Sequence, residues 1–125
     1  MSDHVTRASS RQVLTSAAAD GALITTSSLV VALLVRLGTG QDSYVPGAVW
    51  AVVALLVHVA NGIWLAGRTG QSVGDRVGQV AYLSPVSGRP VGVATMAEVC
   101  TRGGVGRDPR VARVSVADDE PPPTR

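Results

Sequence analysis

The chain has 125 residues, the size of one ordinary domain, and nearly half of them are apolar. It has no Phe and only four aromatic residues, whereas a soluble core of this size normally uses aromatic side chains for bulk. The net charge is +2 and all eleven basic residues are Arg, scattered without a basic helix face, which argues against a nucleic-acid-binding protein.

The first predicted element after a polar N-terminal tail is a transmembrane helix. Residues 1–12 form the tail, and the apolar run at 13–35 contains a single charge, Asp20. As a helix this run is about 34 Å long, enough to cross a hydrocarbon layer of roughly 30 Å. A cleaved signal peptide is the alternative, but the run continues well past the small residues at 17–19.

A second transmembrane helix is predicted after a short extracytoplasmic loop at 36–45. It covers 46–65, and Pro46 occupies its first turn, where proline is favoured. Trp50 and Trp64 lie near its ends, as in the aromatic belts of membrane interfaces. Both runs are apolar on nearly every side and the chain has no third apolar segment to cover them. We therefore favour membrane helices over buried helices of a soluble domain.

Arginines flank the two predicted spans on the same side. Arg7 and Arg11 precede the first span. Arg68 and Arg76 follow the second, and the loop between the spans has only Arg36, at the helix edge. The positive-inside rule therefore predicts a multi-pass protein of the cell membrane (the inner or plasma membrane) with both termini in the cytoplasm.

The segment at 66–102 is predicted to be a small cytoplasmic and interfacial appendage. Val73, Val77 and Val80 fall on one helical face, which predicts a short amphipathic helix lying in the membrane interface.

The rest of the appendage alternates short apolar stretches with turn residues. The stretches at 80–83 and 91–93 are predicted to pair as a hairpin across the turn between them. A last helix is expected at 94–102, stopped by the glycines that follow it. Residues 103–125, rich in Gly, Arg, Asp and Pro, predict a disordered C-terminal tail.

Asp20 is the most informative residue, because a carboxylate within a membrane helix is rarely left facing lipid and needs a polar partner. His58 and Asn61 reach a similar depth on the second helix and share a face, being three residues apart. We predict that Asp20 meets His58 or Asn61 between the helices. The contact is either a proton- or cation-handling site or a polar clamp. We favour the clamp, since two helices alone cannot enclose a pathway.

Two parts of the sequence resemble the RDD family of bacterial integral membrane proteins. The first is Arg11 followed by Asp20 and Gly21; the second runs over 68–78 and leads into Gly-Arg-Pro-Val at 88–91. The family's motif matches this chain at Arg11, Asp20, Gly70, Gln71, Gly74 and Arg76, whereas Asp75 stands where the family usually has a basic residue. The resemblance implies a transport-related role, because some members have been linked to cation/proton exchange.

The sequence as a whole predicts an all-α membrane protein: an antiparallel two-helix transmembrane hairpin with a short interfacial helix and a small cytoplasmic appendage. We expect an RDD-like membrane protein of unknown ligand, associated with transport as a homo-oligomer. The alternative is a structural or regulatory subunit of a larger membrane complex. With one cysteine, Cys100, and no pattern of catalytic or metal-binding residues, we predict no enzyme activity, no metal and no cofactor. The predicted partners are the lipid bilayer and other membrane-protein chains, not nucleic acid.

Overall fold

The computed structural model describes residues 6–40 and 45–116. Most of them belong to five α-helices, one π-helical segment that continues the second helix directly into the third, and two short strands. These elements are α1 (Ser10–Thr39), α2 (Val45–His58), the π segment (Val59–Leu65), α3 (Ala66–Thr69), α4 (Val73–Gly78), β1 (Val80–Leu83), α5 (Val93–Thr101) and β2 (Ala112–Ser115).

Helix α1 is longer at both ends than the predicted span at 13–35, and the reason is its caps. Ser9 and Gln12 form a capping box, in which the Ser9 hydroxyl accepts from the Gln12 N–H and the Gln12 side chain accepts from the Ser9 N–H. At the other end Gly40 adopts a left-handed conformation with φ 61° and donates its N–H to the Arg36 carbonyl. The predicted loop at 36–45 is therefore helical up to Thr39.

Two helices, Ser10–Thr39 and the continuous helix Val45–Thr69, are long and apolar enough to cross a membrane. Only 11% and 6% of their most apolar windows are buried, whereas the core helix of a soluble domain is mostly covered. Where the two helices contact each other, α1 presents small residues: Ser28 is fully buried and Ala32 nearly so. The Ser28 hydroxyl donates to the carbonyl of Ile24, 2.5 Å away, so it needs no partner on the neighbouring helix.

The strands form an antiparallel pair that also contacts the segment preceding α1. Strand β1 pairs with β2, with Val80 opposite Ser115. On the other edge of β2, Arg7 forms a bridge with Val114. The turn of the predicted hairpin is present, closed by a bridge between Leu83 and Pro90 and by the Ser84 N–H, which donates to the Arg89 carbonyl at 2.9 Å. The predicted pairing of 80–83 with 91–93 is wrong, because the chain enters α5 directly after the turn.

The predicted disordered tail at 103–125 is also wrong for the residues up to 116, since β2 and the turns before it belong to the folded unit. Val111 and Val114 are buried there, together with Val99 of α5, and such burial supplies the hydrophobic contribution that a disordered tail lacks. The part of the predicted tail at 117–125 lies outside the described residues.

Helix α4 is shorter than the predicted interfacial helix. It ends at Gly78 because Gln79 takes a left-handed conformation, with φ 55°. Val80 therefore lies in β1, where it is completely buried, and does not continue the face of Val73 and Val77, which are 41% and 60% exposed. The predicted amphipathic face through Val80 is thus incorrect, because the chain turns before it reaches that residue.

Candidate functional site

Helix α4 packs on the N-terminal third of α1 through a face made of glycine. Gly74 and Gly78 are one turn apart and lie directly against the backbone of α1. A Cβ at Gly78 would be 2.5 Å from the Gln12 carbonyl oxygen, and one at Gly74 would be 2.6 Å from Cγ of Asp20. Gln12 and Asp20 are two turns apart on one face of α1. The glycine face therefore brings the start of α4 within hydrogen-bonding distance of the Asp20 carboxylate.

The Asp20 carboxylate is the centre of a polar cluster that joins three elements. Its Oδ1 accepts from the Asn61 side-chain amide at 2.6 Å and from the Gly74 N–H at 2.7 Å. Its Oδ2 accepts from the Ser72 hydroxyl at 2.5 Å. All of these partners are donors, so both oxygens of the carboxylate accept hydrogen bonds from the chain.

Of the two partners predicted for Asp20, the structure brings in Asn61 and not His58. Asn61 is 7% exposed, and its side-chain oxygen also accepts from the Val73 N–H at 2.8 Å. It therefore links α4 as well as α1 to the second long helix. His58 is exposed, and its imidazole makes no hydrogen bond within residues 6–40 and 45–116. Asn61 lies in the π segment, where the wider turn changes which residues share a face with His58.

A second carboxylate, Asp75, lies beside the first and was not among the predicted site residues. It is 2% exposed and forms a capping box with Ser72 at the start of α4. Its Oδ2 accepts from the Ser72 N–H at 2.8 Å, and the Ser72 hydroxyl accepts from the Asp75 N–H at 3.1 Å. Its Oδ1 accepts from the Ser16 hydroxyl of α1. The spacing Ser-x-x-Asp is itself a capping signal in the sequence.

Tyr82 of β1 borders this cluster from the sheet. Burial, and then the negative charge of Asp75, raise the pKa of Tyr82 to about 12. The guanidinium of Arg113, 5.8 Å from the ring centre, acts in the opposite direction. The phenol therefore stays protonated beside the two carboxylates.

The other residues of the RDD-like motif shape the loop that leads into the cluster. Gly70 ends α3 in a left-handed conformation with φ 80°, which favours glycine. The Gln71 side chain donates to the Val80 carbonyl at 2.9 Å and so holds β1 beside α4. Arg11 and Arg76 are exposed and lie on the outside of the cluster.

The cluster has the chemistry of a structural hydrogen-bond network. Among the described residues, both carboxylates are contacted by hydroxyl, amide and backbone donors of the chain itself. Within the described part of the chain, no group of three His, Cys, Asp or Glu residues is arranged to hold a metal ion. The side chains thus connect α1, α4 and the second long helix around two adjacent carboxyl groups.

Comparison of the chain with protein-family models, with curated proteins and with solved structures finds no match in any of the three. The resemblance to the RDD family thus has no support from these comparisons.

Proposed function

We propose that this chain is an integral membrane protein whose two long helices cross the bilayer as an antiparallel hairpin, with both termini and the small folded unit on the cytoplasmic side. The exposed leucines of both helices support this, among them Leu33 at 53% and Leu55 at 62% exposure. Arg68 stacks over the Trp64 ring at 5.3 Å, an arrangement that suits the membrane–water interface.

In this arrangement Asp20 lies at the edge of the bilayer and not in its middle. Helix α4 packs against one face of the part of α1 that precedes Asp20, so we place this part in the folded unit, outside the hydrocarbon layer. The remaining stretch at 21–39 is about 28 Å long as a helix, close to the thickness of a hydrocarbon layer. The free-energy cost of placing the carboxylate there is then moderate, because two of its three donors, Ser72 and Gly74, come from the folded unit at the surface.

We assign the polar cluster the function of a clamp that fixes the folded unit to the hairpin, in a structural or regulatory subunit of a larger membrane complex. The observation that carries this assignment is that, among the described residues, every partner of the Asp20 carboxylate is a hydrogen-bond donor. A clamp requires such partners, whereas a relay requires an acceptor that exchanges its proton with solvent or substrate. The exposed apolar faces of the hairpin are then available to the transmembrane helices of the partner complex.

Two substitutions at Asp20 separate the clamp from a relay. Asp20→Asn retains one oxygen for Asn61 and Gly74 and offers an amide to the Ser72 hydroxyl, so we expect folding and membrane accumulation to be largely kept. Asp20→Ala leaves all three donors without an acceptor, so we expect accumulation and thermal stability in detergent to fall. If Asp20→Asn keeps the wild-type melting temperature but loses ion flux, measured as described below, the clamp is contradicted.

The partner complex is sought by cysteine cross-linking in native membranes. Cys100 is first replaced by Ser, and single cysteines are introduced at Leu33 and Leu55. A subunit gives one discrete cross-linked product of fixed mass, and the product is lost when the clamp is broken by Asp20→Ala. A product with the mass of two copies of this chain favours a homo-oligomer instead.

A transport-associated role of the kind implied by the RDD resemblance is the second candidate. It is favoured by Ser72, which hydrogen-bonds to Asp20 and Asp75 and so couples two carboxylates in one network. The test is proton or Na⁺ flux in proteoliposomes that contain the purified protein, measured with a pH-sensitive dye or ²²Na⁺. Flux that is abolished by Asp20→Asn supports this candidate, and absence of flux in the wild type rejects it for the isolated chain.

A further inference from the structure

An open groove of about 1100 Å³ lies between the N-terminal end of α1, the strand pair and the turn that contains Gly106. Among the described residues its walls include two arginines, Arg7 and Arg113, and no acidic side chain. We infer that this groove binds an anionic phospholipid, with the phosphate at the two arginines and an acyl chain along α1. The inference rests on the proposed insertion of the two helices in a membrane.

Arg113 is the groove residue that lacks an acceptor among the described residues. Its Nε is buried and has no hydrogen-bond partner among the described residues. The guanidinium is confined between the Tyr82 ring and the backbone at Gly106, where an added Cβ would lie 3.3 Å from Nη2. No carboxylate of the described residues forms an ion pair with it. A buried donor of this kind is costly without an acceptor, and phosphate oxygens match the donor geometry of guanidinium.

Arg7 supplies a second cation beside the first. Its bridge to Val114 and the hydrogen bond from the Ala8 N–H to the Arg113 carbonyl, 3.2 Å long, hold residues 7 and 8 along the edge of β2. The Arg7 side chain is exposed and therefore free to move onto a phosphate. The hydroxyls of Ser9 and Ser10 line the same end of the groove and add neutral donors.

The opposite wall is apolar and leads towards the proposed bilayer. Val13, Leu14 and Ala17 of α1 line the groove, and Leu14 is 71% exposed. These residues precede Asp20, so the wall begins in the folded unit and continues along α1 into the proposed span. The groove volume exceeds that of most small-ligand pockets, about 300–1,000 Å³. A basic end, an apolar wall and this size favour a phospholipid over a small soluble phosphate.

The test is native mass spectrometry of the full-length protein in detergent, with dioleoylphosphatidylglycerol and dioleoylphosphatidylcholine added at equal concentration. We expect phosphatidylglycerol to be retained preferentially. Arg113→Gln and Arg7→Gln should each lower its apparent affinity about fivefold, as expected for one cation near a lipid headgroup. Arg76→Gln, which removes an exposed arginine outside the groove, should leave the affinity unchanged. Arg7→Gln keeps the test decisive if Arg113→Gln does not fold.

Three results would overturn the inference. The first is equal retention of the two lipids, or equal effects of the groove variants and Arg76→Gln. The second is full displacement of phosphatidylglycerol by millimolar inorganic phosphate or glycerol 3-phosphate, which would identify a soluble phosphate as the ligand. The third result concerns the acidic residues Asp118, Asp119 and Glu120, changed together to Asn, Asn and Gln. If this triple change lowers the melting temperature of the lipid-free protein as much as Arg113→Gln does, the chain's own tail holds the guanidinium.

Membrane insertion itself is tested separately, by extraction of native membranes with alkaline carbonate. A protein that resists extraction but shows no lipid preference overturns only the lipid site. A protein that carbonate releases overturns both the insertion and the lipid site.

Discussion

The backbone N–H of Gly74 donates a hydrogen bond to the carboxylate of Asp20 at 2.7 Å, across a sequence separation of 54 residues. The contact exists because residue 74 has no side chain, so the start of α4 lies directly on α1. It joins a helix that is long enough to cross a membrane to the folded unit that follows the second such helix. The stability of this junction is therefore sensitive to the size of one residue.

Gly74→Ala should weaken the junction. The new Cβ would overlap the α1 backbone and Asp20, and overpacking of this kind typically costs about 1–3 kcal/mol. We expect a lower melting temperature in detergent and faster proteolysis of the folded unit. Gly21→Ala is the matched control on α1, because nothing lies within 4 Å of its added Cβ. Equal melting temperatures for the two variants would show that α4 does not pack on α1 in this way.

Asn61→Asp should make stability depend on pH. It places a carboxylate where the Asn61 amide donates to Asp20 at 2.6 Å, and two acids so close share one proton. The folded state then binds a proton more tightly than the unfolded state. Stability is therefore complete below the unfolded pKa, about 4, and is lost as the pH rises through the folded pKa, by about 2 kcal/mol or more.

The measurement is the melting temperature of Asn61→Asp and of the wild type between pH 4 and 8. His58→Gln is the control, because the exposed imidazole makes no hydrogen bond within the described residues. We expect the stability of His58→Gln to match that of the wild type at each pH to within about 0.5 kcal/mol. A pH-independent effect of Asn61→Asp would argue against the contact with Asp20.

Tyr82 should destabilise the fold when it ionises. Its pKa is raised to about 12 from an ordinary value of 10.0 by burial and by Asp75. The phenol therefore contributes stability that is complete below pH 10 and is lost between about pH 10 and 12, by at most about 2–3 kcal/mol. Absorbance at 295 nm measures the titration directly. Tyr44 is the other tyrosine, so Tyr44→Phe leaves only the signal of Tyr82, and a midpoint near pH 10 would contradict the burial.

Gln79→Gly should stabilise the protein. Gln79 is exposed and has a φ of 55°, a conformation that costs about 1–2 kcal/mol for residues other than glycine. Part of the gain is offset by the greater freedom of glycine in the unfolded chain, about 0.4–1 kcal/mol. We expect a net increase of about 0.5–1 kcal/mol in the free energy of unfolding, measured by denaturant titration in detergent. Gln79→Ala keeps the strained conformation and should not stabilise.

Local features of the sequence account for the helices. The apolar runs at 13–35 and 46–65 lie within the two long helices, and the stretch at 94–102 is close to α5 (Val93–Thr101). Hydropathy, caps and glycine stops act over one or two turns, so they can be read along the chain. The helix ends differ from the prediction where the capping residue lies outside the apolar run, as Gly40 does, so that the helix continues past the end of the run.

Only part of the site could be predicted from local sequence patterns. The sequence by itself determined that Asp20 needed a polar partner, and it limited the choice on the second helix to His58 and Asn61. Only the tertiary structure decided between them, because a π-helical turn departs from the regular spacing that the prediction assumed. It also decided that Asp75 joins the cluster, since that depends on the close approach of two helices at Gly74. Close approach is a non-local property, set by how whole elements pack.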